Sequence, residues 1–173
     1  MKENYVADTG QYVQSHLVTW ADVHRDSKIL VRTLLNLGHW TGIVALTRGG
    51  LVPAAIVARE MDIRVVDTLC VSTYDEQKRG NVNILKSPTT ASKIKGKGWL
   101  LIDDLVDTGT TAHAAREILP KSHFATLYAK PKGRPHVHTH VRDVGQDTWV
   151  FSHGTRSHNM SNRWLKPQEF NGI

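Results

Sequence analysis

The stretch Gly98–Leu119, GWLLIDDLVDTGTTAHAAREIL, decides how the rest of the chain is read. An apolar run ends in Asp103 and Asp104, a third carboxylate follows at Asp107, and Thr108, Gly109, Thr110 and Thr111 lead into a helical pattern. Asp107-Thr108-Gly109 has the residues of an aspartic-protease turn, and Asp8-Thr9-Gly10 repeats them. A protease needs two such turns facing each other, with carboxylates that share a proton. The first turn here sits in a polar N-terminal arm without a strand pattern, and the second is surrounded by helical sequence, so the protease reading is set aside.

Working outward, strands alternate with helices. ADVHRDSKILVRTLLNLG predicts a helix with Val23, Ile29, Leu30, Leu34 and Leu35 on one face and Gly38 as its stop. GIVAL (Gly42–Leu46) reads as a buried strand, TRGG breaks it, and LVPAAIVAREM returns to helix with Pro53 in the first turn. RVVDTLCVSTY, WLLID, HFATLYA and DTWVF read as further strands, and TTAHAAREIL as a helix. This alternation predicts an α/β fold with a mainly parallel sheet, in which ligands bind beyond the carboxyl ends of the strands. TRGG, DDLVDTGTT, KPKGRP and DTW are therefore expected to line one site. The polar stretch between the second and third strands, DEQKRGNVNILKSPTTASKIKGKG, is long for such a connection. It suits an active-site lid or a plain surface loop.

Bulk properties narrow the class. A chain of 173 residues, 40% hydrophobic and 22% charged, fits one soluble globular domain. The single cysteine, Cys70, permits no internal disulfide, which predicts a reducing, cytoplasmic setting. The N-terminus lacks the apolar core of a signal peptide. Lys and Arg outnumber Asp and Glu by 22 to 16, which favours anionic partners without choosing among nucleotides, nucleic acid and membrane surfaces.

The acidic turn suits a sugar phosphate. The helix starting near Thr110 points free N–H groups at the loop, Gly109 lets the backbone approach an anion, and the three threonines add hydroxyl donors. Carboxylates repel a bare phosphate, but vicinal ribose hydroxyls can donate to Asp103 and Asp104, and Mg²⁺ can bridge carboxylate and anion. Arg48, in the glycine-containing TRGG turn, offers a forked cation for a second phosphate. Neither GxxxxGK[ST] nor GxGxxG occurs, which removes the common nucleotide loops.

With these residues in view, LLIDDLVDTGTTA resembles the signature loop of the type I phosphoribosyltransferases, which bind phosphoribosyl pyrophosphate. TRGGLVP, AKPKGRP and QDTW extend the resemblance, from about Val18 to Val150, toward the members that act on purines. The resemblance implies the type I phosphoribosyltransferase fold, with a parallel central sheet flanked by helices, a small hood and a mobile loop. It implies purine salvage: transfer of the phosphoribosyl group to N9 of a 6-oxo purine, guanine or xanthine ahead of hypoxanthine, giving GMP or XMP. Arg48 and Gly49 would hold pyrophosphate, at a non-proline cis peptide (here Thr47–Arg48), and Arg79 would reach it from the mobile loop. Asp103 and Asp104 would meet the ribose hydroxyls, with Asp104 as the Mg²⁺ partner. Leu105, Val106, Asp107 and Thr108–Thr111 would complete the phosphoribosyl pyrophosphate cradle. Asp107 would sit beside purine N7, Lys130 would reach O6, and Trp149 and Val150 would line the purine. A homotetramer, loosely associated with the inner membrane and binding no nucleic acid, is also implied.

The resemblance divides the chain into an N-terminal extension (1–16), a phosphoribosyltransferase domain (17–150) and a divergent tail (151–173). Beyond Trp149 the family's Pro-Trp-Asp segment is replaced by the polar VFSHGTRSHNMSNRWLKPQEFNGI, which leaves the choice of purine open. RPHVHTHVRD places His136, His138 and His140 at strand spacing, as a polar strand face or a metal-binding one. A competing reading keeps the fold as a phosphoribosyl pyrophosphate sensor that binds nucleic acid without turnover.

Overall fold

The computed structural model describes residues 14–73 and 82–152. Thr19–Gln146 form one compact unit, built on a six-stranded sheet. In chain order it contains helix α1 (Trp20–Leu35), strand β2 (Gly42–Thr47), α2 (Leu51–Glu60), β3 (Val66–Thr73), β4 (Val82–Lys86) and α3 (Thr90–Lys93). Then come β5 (Trp99–Val106), α4 (Thr110–Ile118), β6 (His123–Ala129) and β7 (Thr139–Asp143). The sheet order is β4-β3-β2-β5-β6-β7, parallel throughout except for antiparallel β4. The second unit contains β1 (Gln14–Val18) and β8 (Thr148–Ser152), paired in parallel.

Parallel strands are covered on both faces, so they read as continuous apolar runs. Ile43, Val44, Ala45 and Leu46 of β2 and Trp99, Leu100, Leu101 and Ile102 of β5 are almost wholly buried. The chain leaves β2 through α2 to β3 on one side, and leaves β5 through α4 to β6 on the other. Right-handed crossovers in opposite directions put α2 and α4 on opposite faces. The order therefore reverses between β2 and β5, and the ends of these strands open the crevice where open α/β sheets take ligands.

Thr19 and Asp22 form a reciprocal capping box at the start of α1, Asp22 N–H donating to Thr19 Oγ1 at 3.1 Å and Thr19 N–H to Asp22 Oδ2 at 3.0 Å. The helix buries Val23, Asp26, Ser27, Leu30, Val31 and Leu34. Ile29 and Leu35, expected on that face, are exposed, and the charged Asp26 takes an inner place instead. Its carboxylate receives Arg142 through two bonds (2.7 and 2.8 Å), Arg25 Nε at 2.9 Å and the Tyr128 hydroxyl at 3.0 Å. Burial pushes the Asp26 pKa up, but the bonds from Arg142, Arg25 and Tyr128 outweigh it, and the net direction is down.

Three other expectations change. DTWVF does not extend the main sheet: β8 pairs with β1 in the second unit. The long polar connection contains β4, an edge strand on β3, and the short α3, while 74–81 lie outside the described residues. The histidine tract is not one strand. Arg134–His136 form a 3₁₀ turn around Pro135, and β7 begins only at Thr139. Among the described residues no three metal-ligating side chains converge.

Candidate active site

The site grows from the ends of β2, β5 and β6. β2 delivers the turn Thr47–Gly50, where the Thr47–Arg48 peptide is cis, as the resemblance implied. Arg48 is exposed. A Cβ on Gly49 would run into the Asp104 carboxylate, and one on Gly50 into the Ile102 and Leu46 carbonyls. These glycines let two strand ends approach more closely than side chains allow.

β5 carries Asp103, Asp104, Leu105 and Val106 straight into the loop, three residues further than the expected strand. A cleft runs along 103–109 and is completed by Thr111, Ala112 and Phe124. Asp103 and Asp104 are partly accessible yet deeply surrounded by protein. Burial first, and then the Asp104 charge, push Asp103 well above the ordinary carboxylate range; burial also raises Asp104. The Asp104 N–H donates to Asp103 Oδ1 at 2.9 Å, and no lysine or arginine among the described residues pairs with either carboxylate.

At the loop's end Gly109 adopts φ +89° and starts α4, and among the described residues no side chain caps the helix. The first N–H groups of α4 thus face the loop, with the exposed Thr108 and Thr110 hydroxyls 3.1 Å apart beside them. The His136 imidazole lies against Gly109, where a Cβ would clash with it.

Lys130, just past β6, is only 1% exposed, and its Nζ donates to Asp107 Oδ2 at 2.8 Å. The tight turn that follows sits so close to the acidic loop that a Cβ on Gly133 would strike the Asp107 and Val106 carbonyls. Gln146, to which the sequence reading gave no role, donates from Nε2 to the other Asp107 oxygen at 2.7 Å. The only sequence signal for it was its place in the QDTW segment.

The structure therefore brings Arg48, Gly49, Asp103–Thr111 and Lys130 to the carboxyl ends of β2, β5 and β6. Trp149 and Val150 lie on β8 in the second unit, opposite Ser15 and His16 of β1. Arg79 lies outside the described residues. For Mg²⁺ the donor set is suitable: one or two carboxylate oxygens are what a protein contributes when substrate phosphates and waters complete the octahedron. The buried acidic pair gives a divalent cation an electrostatic reason to bind.

Comparison with known proteins gives a consistent result. Residues 18–158 match the family model for the phosphoribosyl transferase domain. A xanthine-guanine phosphoribosyltransferase of Desulfotalea psychrophila is 53% identical over 82% of this chain and 86% of its own length. One from Chromohalobacter salexigens is 48% identical over 81% and 83%. A solved purine phosphoribosyltransferase of Pyrococcus horikoshii superimposes with a TM-score of 0.71 at 20% identity, covering 83% of this chain and 95% of that one.

Proposed function

The chain belongs to the phosphoribosyl transferase family, and on that premise we propose that it is a xanthine-guanine phosphoribosyltransferase of purine salvage. It joins N9 of guanine or xanthine to C1 of phosphoribosyl pyrophosphate and releases pyrophosphate. The observation that carries this reading is the buried Lys130 held 2.8 Å from Asp107 at the end of the acidic loop. That pair offers a donor and an acceptor side by side, as O6 and N7–H of a 6-oxo purine require.

The N9 lone pair forms the new bond to C1 as the C1–oxygen bond breaks, and the N7 proton passes to Asp107. Asp103 and Asp104 accept from the ribose hydroxyls. The N-terminus of α4, with Thr108, Gly109, Thr110 and Thr111, holds the 5-phosphate. Arg48, Gly49 and Arg79 hold the pyrophosphate, whose growing charge their donors stabilise. Asp104 would hold Mg²⁺, which would supply further charge neutralisation there. Lys130 rejects adenine, whose 6-amino group is a donor that an ammonium cannot satisfy. Trp149 and Val150 line the purine. A cytoplasmic homotetramer with loose inner-membrane contact, and the division into 1–16, 17–150 and 151–173, complete the proposal by family resemblance. The names of the relatives favour turnover over sensing.

A spectrophotometric assay with phosphoribosyl pyrophosphate and Mg²⁺ tests the reading, offering guanine, xanthine, hypoxanthine and adenine in parallel. Conversion of guanine and xanthine with adenine ignored is expected; turnover of no base would overturn it.

A further inference from the structure

We propose that Gln146 is a positioning residue for the purine, acting through the Asp107 carboxylate. This rests on the purine-transfer reading above and goes beyond it by assigning a role to a residue outside the recognised loop.

The backbone brings Gln146 to its place. β6 and β7 pair up to Ala129 and Asp143, and the Val144 N–H donates to the Ala129 carbonyl at 2.9 Å. Two residues later Gln146 lies beside the turn that follows Lys130. There its Oε1 accepts the Lys132 N–H at 3.0 Å while its Nε2 donates to Asp107 Oδ1 at 2.7 Å. Only one amide orientation serves both partners: reversed, a carbonyl would face a carboxylate and an NH₂ would face an N–H. Lys132 N–H thus fixes which end of Gln146 meets Asp107.

Asp107 is consequently held by a donor on each oxygen, Lys130 on Oδ2 and Gln146 on Oδ1. Two anchors fix the rotation of a carboxylate about its last torsion, which one anchor does not. That rotation sets where N7 can be met. The proposed 5-phosphate contacts come from Thr108–Thr111 and the pyrophosphate contacts from segments outside this loop, so neither depends on that rotation. Gln146 should therefore influence the purine and leave phosphoribosyl pyrophosphate alone.

Gln146→Met keeps the length and removes both amide functions. Hydrogen bonds to charged groups are worth enough that KM for guanine and xanthine should rise about tenfold to a hundredfold. KM for phosphoribosyl pyrophosphate and the melting temperature should stay at the parent values. Gln146→Glu, which can still accept from Lys132 but repels Asp107, should be worse than Met. In an Asp107→Asn background the further loss on Gln146→Met should shrink severalfold, because the two residues act as a unit. An unchanged purine KM, an equal rise in both KM values, or an undiminished loss in that background would overturn the inference. Absence of turnover in the parent protein would instead sink the purine-transfer reading. A readout independent of turnover is the Gln146 side-chain amide in NMR of the full chain. Slow hydrogen exchange, lost in Asp107→Asn, is expected, and rapid exchange in the parent would overturn the inference.

Discussion

Asp26 and the Asp103–Asp104 pair are both acid sites set into the same unit, and their surroundings are opposite. Asp26 meets two guanidiniums and a phenol, and its pKa goes down. Asp103 and Asp104 meet each other and the protein interior, no described lysine or arginine pairs with them, and both pKa values go up. The first site is electrostatically complete within the fold. The second has no such partner among the described residues, which fits the ligand-binding role proposed for Asp103 and Asp104.

The largest effect expected from this contrast is on turnover. Asp104→Asn should lower kcat/KM by about two to three orders of magnitude, in the range seen when a transition-state charge contact is lost. The same change should raise unfolding stability at neutral pH, because a carboxylate with a raised folded pKa costs stability wherever it is charged. Kinetics together with urea denaturation would check both. A variant that is inactive and also less stable would break the contrast.

Next in size, Asp26→Ala should destabilise the protein by about 3 kcal/mol, since it removes a buried acceptor of several charge-assisted hydrogen bonds and takes an acceptor from the buried Tyr128 hydroxyl. Arg142 is 43% exposed and can turn toward water, which keeps the loss at the low end. Denaturation midpoints measure it, and kinetics per folded molecule should barely move.

Acid titration sharpens the comparison further. Asp26 has a depressed folded pKa, so its contribution is present above the ordinary carboxylate pKa and is lost as pH falls below that value. His123 acts at higher pH. Burial, and then the neighbouring His138, hold it at about 4, and its ring stacks on His138 with centroids 4.9 Å apart. A neutral folded histidine binds fewer protons than an unfolded one, so its stabilisation is lost as pH falls from about 6.5 toward 4. His123→Phe should flatten that part of a melting-temperature profile and leave the loss below it intact.

The smallest effect belongs to the exposed edge. Lys86 sits 2.7 Å from Asp67 but is 49% exposed, so Lys86→Ala should cost about 0.5 kcal/mol. Burial raises the Asp67 pKa, yet Lys86 and the Thr89 and Thr68 N–H groups hold it at about 2. That contribution is present above the ordinary carboxylate pKa and fades as pH falls from about 4 to 2.

What was legible in the sequence follows from the range of each interaction. β2, β5 and α4 announce themselves through local apolar runs and a glycine-bearing turn, and the resemblance singled out Asp103, Asp104, Asp107 and Lys130, which the structure brings to the strand ends. Asp26 carries no local sign of its inner place, because its partner Arg142 is 116 residues away. Gln146 reaches Asp107 across 39 residues, again without a local sign. The histidine alternation misled because Pro135 sets its first residues in a turn. DTWVF carried the right strand signal, but an apolar pattern cannot say which sheet a strand joins.

The glycines at the strand ends set limits on engineering. A Cβ would meet the Asp104 carboxylate at Gly49, the Ile102 and Leu46 carbonyls at Gly50 and the Asp107 and Val106 carbonyls at Gly133, and at Gly109 a positive φ and the His136 ring disfavour one. A mutational library spread evenly over this loop system would spend many of its members on variants that cannot assemble the site. Attempts to redirect the purine preference therefore have their tolerant positions outside those four, among residues that reach the base by side chain alone.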